Sequence, residues 1–286
     1  MPAKLNFMKQ VVSMLILFLL VNTISAQKLK PWKVKLETGQ KFKVINISSS
    51  NISQQMMGQE IQIKINNDIT DSMYVKSESS GSFNISKTTI HMKMDIDAMG
   101  QQKNVDSDNK EDMEGELGEK LKEKIGVAVD ATVTEKGAVI ITSTVKEMTT
   151  DAMGGLMSLN NDSASIAGYF LAPPAKDLRP GNTWIDSVVI TGNRMETIYT
   201  FIKSEKRIAY FSFELKTSTE GTTSTNGMEV KSKINSDGKG TMQVELKSGL
   251  VLERTTETKV SGTSEIMGME IPMTGETKAT VTITKL

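Results

Sequence analysis

His91 is the only histidine in the chain, and Met92 and Met94 follow it closely. Imidazole and thioethers together suit copper(I), so His91, Met92 and Met94 form a candidate copper site. Methionine is abundant beyond them, with 16 of the 19 lying after residue 26, including Met56, Met57, Met267, Met269 and Met273. The competing expectation for methionines at strand spacing is core packing, because a flexible thioether fills irregular gaps. The same softness suits a surface that shelters apolar ligands of varied shape, and Met56, Met57, Met267, Met269 and Trp184 are the candidate ligand-lining residues. Trp184 follows Pro180-Gly181; it either stacks on a sugar or anchors a core at the head of a strand.

Acidic residues offer less. Asp106-x-Asp108 opens like a calcium loop, but Lys110 and Glu111 stand where an oxygen ligand and the turn glycine are required, which removes that reading. Asp95-x-Asp97 puts two acids on one face of a strand, the pattern of a solvated face. Three Asp-Ser-apolar triplets, Asp71-Ser72-Met73, Asp162-Ser163-Ala164 and Asp186-Ser187-Val188, match the short acceptor pattern of periplasmic O-glycosylation in some bacteria.

Catalytic signatures are missing residue by residue. One histidine excludes His-Glu-x-x-His, and zero cysteines exclude a thiol nucleophile. Neither a Gly-x-Ser-x-Gly elbow nor a phosphate-cradling Gly-Lys-Ser/Thr loop occurs. A carboxylate-pair hydrolase needs only two acids brought together by the fold and stays open as an alternative. The expectation is a non-enzyme with no cofactor and no assigned catalytic residue.

The elements that would carry these residues begin with an export segment. Lys4 and Lys9 lead into the apolar run 11–21, and Ile24-Ser25-Ala26 supplies a small residue before Gln27. This is the pattern of a signal peptide cleaved after Ala26, and the run is too short to span a bilayer. Without cysteine a thioether lipid anchor cannot form, so the expected product is an exported periplasmic or extracellular protein, not lipid-anchored. Residues 27–286 carry 32 basic and 34 acidic side chains. That balance favours neither nucleic acid nor an anionic membrane, both of which need a concentrated positive field.

Period-two alternation dominates the chain beyond the export segment. Phe42, Val44, Ile45 and Ile47 lead through Met56-Met57-Gly58-Gln59 to Ile61, Ile63 and Ile65, the pattern of a hairpin with one wet face. Similar alternation covers 73–75, 81–85 and 90–96, closed by Ala98-Met99-Gly100-Gln101, and then 188–190, 196–202, 208–215, 228–234, 240–246, 250–260 and 277–283. Strands divided by Gly, Asn, Asp and Ser argue for antiparallel sheet. Between the strand-rich halves, Met113, Leu117, Leu121 and Ile125 recur every four residues, which predicts an amphipathic helix over 112–125. A short hairpin around Glu135-Lys136-Gly137, a second helix over 146–159 and a short turn at 166–171 complete the middle.

The expected fold is mainly β (α+β): curved antiparallel sheets in one or two related units, with two or three helices inserted near the middle. Met57-Gly58-Gln59-Glu60-Ile61 and Met267-Gly268-Met269-Glu270-Ile271 share a pattern, and Leu36-x-x-Gly39 and Leu178-x-x-Gly181 each open a strand-rich half. These pairs suggest half-repeats 36–110 and 178–286 joined by a helical segment 111–177.

The segments Leu178-Arg179-Pro180-Gly181-Asn182-Thr183-Trp184 and Gln54-Gln55-Met56-Met57-Gly58-Gln59-Glu60-Ile61 resemble those of an uncharacterised family of exported β-rich proteins from Gram-negative, Bacteroidota-type bacteria. Asn182 replaces the acid usual in that family's Pro-Gly-Asp-x-Trp turn. The resemblance implies compartment and fold and no established activity. The leading functional expectation is non-catalytic binding of a lipid or other apolar or amphipathic ligand in a curved sheet. The alternative is a cell-envelope structural protein whose strands pair with a protein partner's edge.

Overall fold

The computed structural model describes residues 28–56, 58–143, 166–190, 193–225, 228–266 and 268–286. Twelve antiparallel strands form one sheet: β1 (Lys41–Met56), β2 (Gln59–Ser79), β3 (Ser82–Ala98), β4 (Gln101–Asp106), β5 (Ala128–Thr134), β6 (Val139–Ile141), β7 (Thr183–Ile190), β8 (Asn193–Glu205), β9 (Ile208–Thr225), β10 (Met228–Glu245), β11 (Val251–Ile266) and β12 (Met269–Lys285). Their order is β6-β5-β3-β2-β1-β12-β11-β10-β9-β8-β7, with β4 paired to β3 beside β5. The first and last strands meet at the centre, and the chain otherwise meanders outward to the end strands β6 and β7.

Several elements are longer than the alternation alone predicts. The runs at 61–65 and 73–75 belong to the single strand β2, the run at 81–85 from Ser82 onward and that at 90–96 to β3, and the run at 228–234 and that at 240–246 up to Glu245 to β10. Gly238, between the runs 228–234 and 240–246, and Gly240, at the start of the second, both lie inside β10, where neighbouring strands occupy the space above them. Two-residue turns set the register. Ser80 and Gly81, with φ of 51° and 75°, join β2 to β3, and Met99 and Gly100, with φ of 56° and 77°, join β3 to β4. Both pairs fit the left-handed turn that matches strand twist.

The helical expectation over 112–125 is met by two short pieces, α1 (Lys110–Met113) and α2 (Glu116–Lys122). Asn109 caps α1 through the Glu111 amide. The break at Gly115 lets the two pieces fold together, and a Cβ on Gly118 would lie 2.3 Å from the Asp112 carbonyl oxygen. Met113 and Leu121 are nevertheless buried as the periodicity requires. The expected second helix, 146–159, lies outside the described residues. A short helical turn begins at Ile166.

The sheet is open and strongly curved, and two hydrogen bonds measure the curvature at one end. The Val34 amide donates to the carbonyl of Glu135, in the β5–β6 turn, and the next amide, Lys35, donates to Ser248, in the β10–β11 turn. Those turns are about six strand spacings apart, about 29 Å on a flat sheet, so two adjacent residues can reach both only if the sheet curls around them. Residues 170–172 bridge the same gap: the Leu171 amide donates to Gly249, and Ala172 lies beside Gly137.

Curling makes one face concave. This inner face carries Phe42, Val44, Met73, Val75, Phe83, Ile85 and Ile283 over the curled base on one side, packed with Val34, Leu36, Ile166 and Phe170. Phe201, Phe211, Phe213, Met242, Val244 and Val251 line the other side, packed with Leu171, Leu178 and Trp32. Near the opposite end, where the β1–β2, β3–β4 and β11–β12 turns lie, α1 and α2 cover Ile52, Ile65, Met92, Met94, Ile96 and Met273. The convex outer face is wet, with cross-strand ion pairs such as Lys278–Glu257 at 3.4 Å and Lys259–Glu276 at 3.8 Å.

The suggested halves share this one sheet. Leu36 and Leu178 are both buried, and Gly39 and Gly181, with φ of 90° and 86°, make the turns before β1 and β7. The Met-Gly pairs, by contrast, align β1–β2 with β11–β12, so the two sets of sequence similarities equate different strands.

Candidate binding face

The copper candidates separate. Strand alternation places His91 opposite Thr70 on the outer face, whereas Met92 and Met94 pair with Ile69 and Asn67 on the inner face and are buried in the core. Residues 91 and 92 point to opposite sides of any regular strand, so imidazole and thioethers do not converge. His91 instead meets Asp106 and Asp108, with Nε2 3.2 Å and 3.7 Å from their carboxylates, an oxygen-rich group unlike the soft set copper(I) prefers.

Asp106 is the organiser of that corner. Its Oδ1 accepts the Asp108 amide at 2.9 Å, and its own amide donates to Asp112. The Asp108 amide, with His91 and Lys93 nearby, holds the Asp106 carboxyl below the usual range against a smaller opposing effect of burial. A depressed folded-state pKa contributes stability above the unfolded value and loses it as pH falls. Hydrogen-exchange protection of the Asp108 amide, which donates to the Asp106 carboxylate, should therefore drop selectively below about pH 4 when corrected for intrinsic rate, and Asp106→Asn should flatten that response. Equal loss across the whole sheet would refute it.

The candidate lining residues are also dispersed. Met57 and Met267 lie outside the described residues, as does Asp162-Ser163-Ala164. Met56 ends β1. Met269 begins β12 on the inner face and is 54 % exposed. Trp184 shares a cross-strand row with Tyr199, Phe213, Gly240, Thr256 and Ala279. Ala279 is ten residues along β12 from Met269, about 33 Å, so no single site contains both. Trp184 stacks on Tyr199 at 5.1 Å and meets Phe211 edge-on at 5.6 Å, which is the core-anchor role. Of the glycosylation triplets, Asp71 is buried inside the sheet, and Asp186 and Ser187 are exposed on the edge strand β7.

What the inner face does bring together is a polar band between its apolar zones. Successive strands contribute Asn67, then Asn46, Ser48 and Ser50, then Thr277, then Arg254, Thr256 and Thr258. Asn46, Val281 and Arg254 stand side by side in one row, directly above the base core. The Arg254 guanidinium lies 4.5 Å above the Phe213 ring, and burial pushes its pKa below the ordinary value. Among the described residues no carboxylate pairs with it, and its Nε is buried without an acceptor. The Oδ1 atoms of Asn46 and Asn67 are likewise buried and unpartnered. Such groups are costly to bury unsatisfied. Burial also raises the pKa of the Tyr199 hydroxyl, which lies near Arg254.

Arg254 was legible in one respect. In Leu250 to Val260 the even positions read Leu, Leu, Arg, Thr, Thr, Val and the odd ones carry Glu and Lys, so an arginine occupies the register of the buried face.

A hollow of about 440 Å³ lies mainly on the outer face between Ile47, Asp68, Lys93, Asp95 and Lys278. It is wide-mouthed and mixes both charges. No helix among the described residues is long and apolar enough to cross a membrane.

No family model matches the chain, and no curated protein does. Solved structures with some likeness include an outer membrane channel from Pseudomonas putida F1, at 8 % identity over 88 % of this chain and 98 % of that one with a TM-score of 0.25. OccK7 of Pseudomonas aeruginosa matches at 6 % identity over 87 % and 100 %, with a TM-score of 0.28. The translocator domain of the autotransporter NalP from Neisseria meningitidis matches at 4 % identity over 86 % and 89 %, with a TM-score of 0.22. Scores this low carry no argument about function.

Proposed function

We propose that the protein is an exported, non-catalytic binding protein of the bacterial envelope that holds an apolar or amphipathic ligand against the concave face of its sheet. It fits the exported β-rich family that its Met-Met-Gly-Gln-Glu hairpin resembles. One observation carries the reading: the inner face, built like a core at its base, changes midway to a half-buried band of Asn, Ser, Thr and Arg whose deepest polar atoms lack partners. A purely structural core would satisfy or omit those groups. The outer face supports a water-facing protein, since its charged cross-strand rows are unlike the apolar band that faces lipid in membrane barrels.

The test is native mass spectrometry of the protein purified from its own compartment. A lipid-sized adduct that leaves on denaturation is the expected result, and a bare mass would overturn the reading. The edge strand β7, where Ile185 is 62 % exposed, supports the second reading, strand pairing with an envelope partner. That role becomes the better one if no adduct is found.

A further inference from the structure

We propose that His91, Asp106 and Asp108 form a binding site for one divalent first-row transition ion, zinc being the ion whose chemistry fits them best. The assignment is independent of the ligand reading above and uses the outer, water-facing side of the sheet.

The donor types come first. Nε2 of His91 is 3.2 Å from Oδ1 of Asp106 and 3.7 Å from Oδ2 of Asp108, and the three ligand atoms all lie within 4.8 Å of one another. One imidazole nitrogen with two carboxylate oxygens is a set that zinc accepts. Copper(I) prefers softer donors, and calcium takes six to eight oxygens.

Spacing is the second feature. Zinc bonds of about 2.0–2.2 Å put neighbouring corners of a tetrahedron about 3.3–3.6 Å apart, and the two distances from Nε2 fall on either side of that edge. A hydrogen bond between an imidazolium and a carboxylate is shorter, about 2.7–2.9 Å. One N–H also serves one acceptor well, and 3.7 Å is beyond its reach. A proton on Nε2 therefore holds Asp106 alone, whereas an ion among the three atoms holds both acids.

The third feature is the frame that carries the ligands. His91 lies within β3, and Asp106 ends β4, the strand paired to it. Between the two acids, Ser107 is tied to β3 twice: its amide donates to the Met92 carbonyl and its hydroxyl accepts the Met92 amide, both at 2.9 Å. Asp106 Oδ1 accepts the Asp108 amide and keeps further lone-pair capacity for an ion. The His91, Asp106 and Asp108 side chains are 27 %, 33 % and 78 % exposed, which leaves the fourth corner to water. Lys93 lies near Asp106 and opposes a cation, but two carboxylates outweigh one ammonium. An ion held here would tie β3, β4 and the chain entering α1 together, where the two helices come over the core.

The probe is zinc chloride, titrated calorimetrically into the chelator-stripped protein purified without a histidine tag, with the imidazole proton resonances followed by NMR. Because His91 is the only histidine, any movement of those resonances reports this residue. One zinc per chain should bind and shift them in step with the heat. His91→Gln and Asp108→Asn should each weaken binding about tenfold or more, since even loss of a partner outside the ligand shell costs about 10- to 100-fold. A large excess of calcium should leave the zinc-shifted resonances in place. The wild-type resonances decide the matter even if a variant folds poorly. Zinc bound without moving them, or bound with undiminished affinity by either variant, would put the ion on other surface acids and overturn the site. Absence of zinc binding overturns it as well, and so does displacement by calcium, which would mark an oxygen-only site.

Discussion

Lys87→Met is expected to destabilise the protein by about 3–5 kcal/mol, the cost of leaving a buried charge without its partner. Lys87 and Asp71 face each other from β3 and β2 with Nζ and Oδ2 3.4 Å apart, and their side chains are only 6 % and 4 % exposed. The second Asp71 oxygen accepts the Thr89 hydroxyl at 2.7 Å. The pair sits on the inner face between Val44 and Met73, among residues that are otherwise apolar. Removing Lys87 leaves the carboxylate with the Thr89 hydroxyl in a low-dielectric setting, and Asp71→Leu should also destabilise the protein by taking the carboxylate from the buried ammonium. The double variant Asp71→Leu, Lys87→Met should recover most of the loss, because an apolar pair of similar volume removes both desolvation penalties. Urea denaturation of the four proteins measures the coupling. Singles that cost under about 1 kcal/mol, or a double that simply adds them, would contradict the argument.

Gly240→Ala should be the second severe change. A Cβ there would lie 2.0 Å from the Thr255 carbonyl oxygen and 2.5 Å from Cζ of Phe213, so the neighbouring backbone itself must move. Overpacking of this kind costs about 1–3 kcal/mol and more when backbone is the obstacle. Phe213 carries Arg254 on its ring, so the same substitution should disturb the binding face. Gly221→Ala is the matched control: it lies on the same inner face of β9, with nothing within 4 Å of the added carbon. It should change stability by no more than about 0.5 kcal/mol. Comparable thermal shifts for the two would show that Gly240 is an ordinary strand glycine. Gly262 and Gly275 are also crowded by backbone, with a Cβ 2.3 Å from the Lys233 carbonyl oxygen and 2.9 Å from that of Asn51, so glycines on three adjacent strands, β10, β11 and β12, share one reason: they let a sheet bend tightly.

Local patterns carried far in this chain. Two-residue alternation located the strands because each strand buries one face, and a face-swapping slip would put Ile and Val into water. Gly after a turn residue located the hairpins, since both central positions need positive φ. Met113, Leu117, Leu121 and Ile125 located the helical cover, although Gly115 divides it. The same rules erred where contacts made in space outweighed them. The runs 228–234 and 240–246 read as two strands and are one, because Phe213 and Leu215 supply the bulk missing at Gly240 and Gly238 from the next strand. His91, Met92 and Met94 read as one cluster because sequence adjacency hides the fact that neighbours on a strand face apart.

By itself, then, the sequence determined the antiparallel β character, the positions of the turns and the alternation that gives every strand a wet and a dry side, all of which depend on residues within a few positions of one another. Only the tertiary structure decided the strand order that places β1 against β12, the curl that lets Val34 and Lys35 reach opposite parts of the sheet, and the row that sets Asn46 beside Val281 and Arg254. Those residues are brought together by pairings that span more than two hundred positions, and no local preference encodes which distant strand is the neighbour; that is fixed by burying the inner faces together around one concave core.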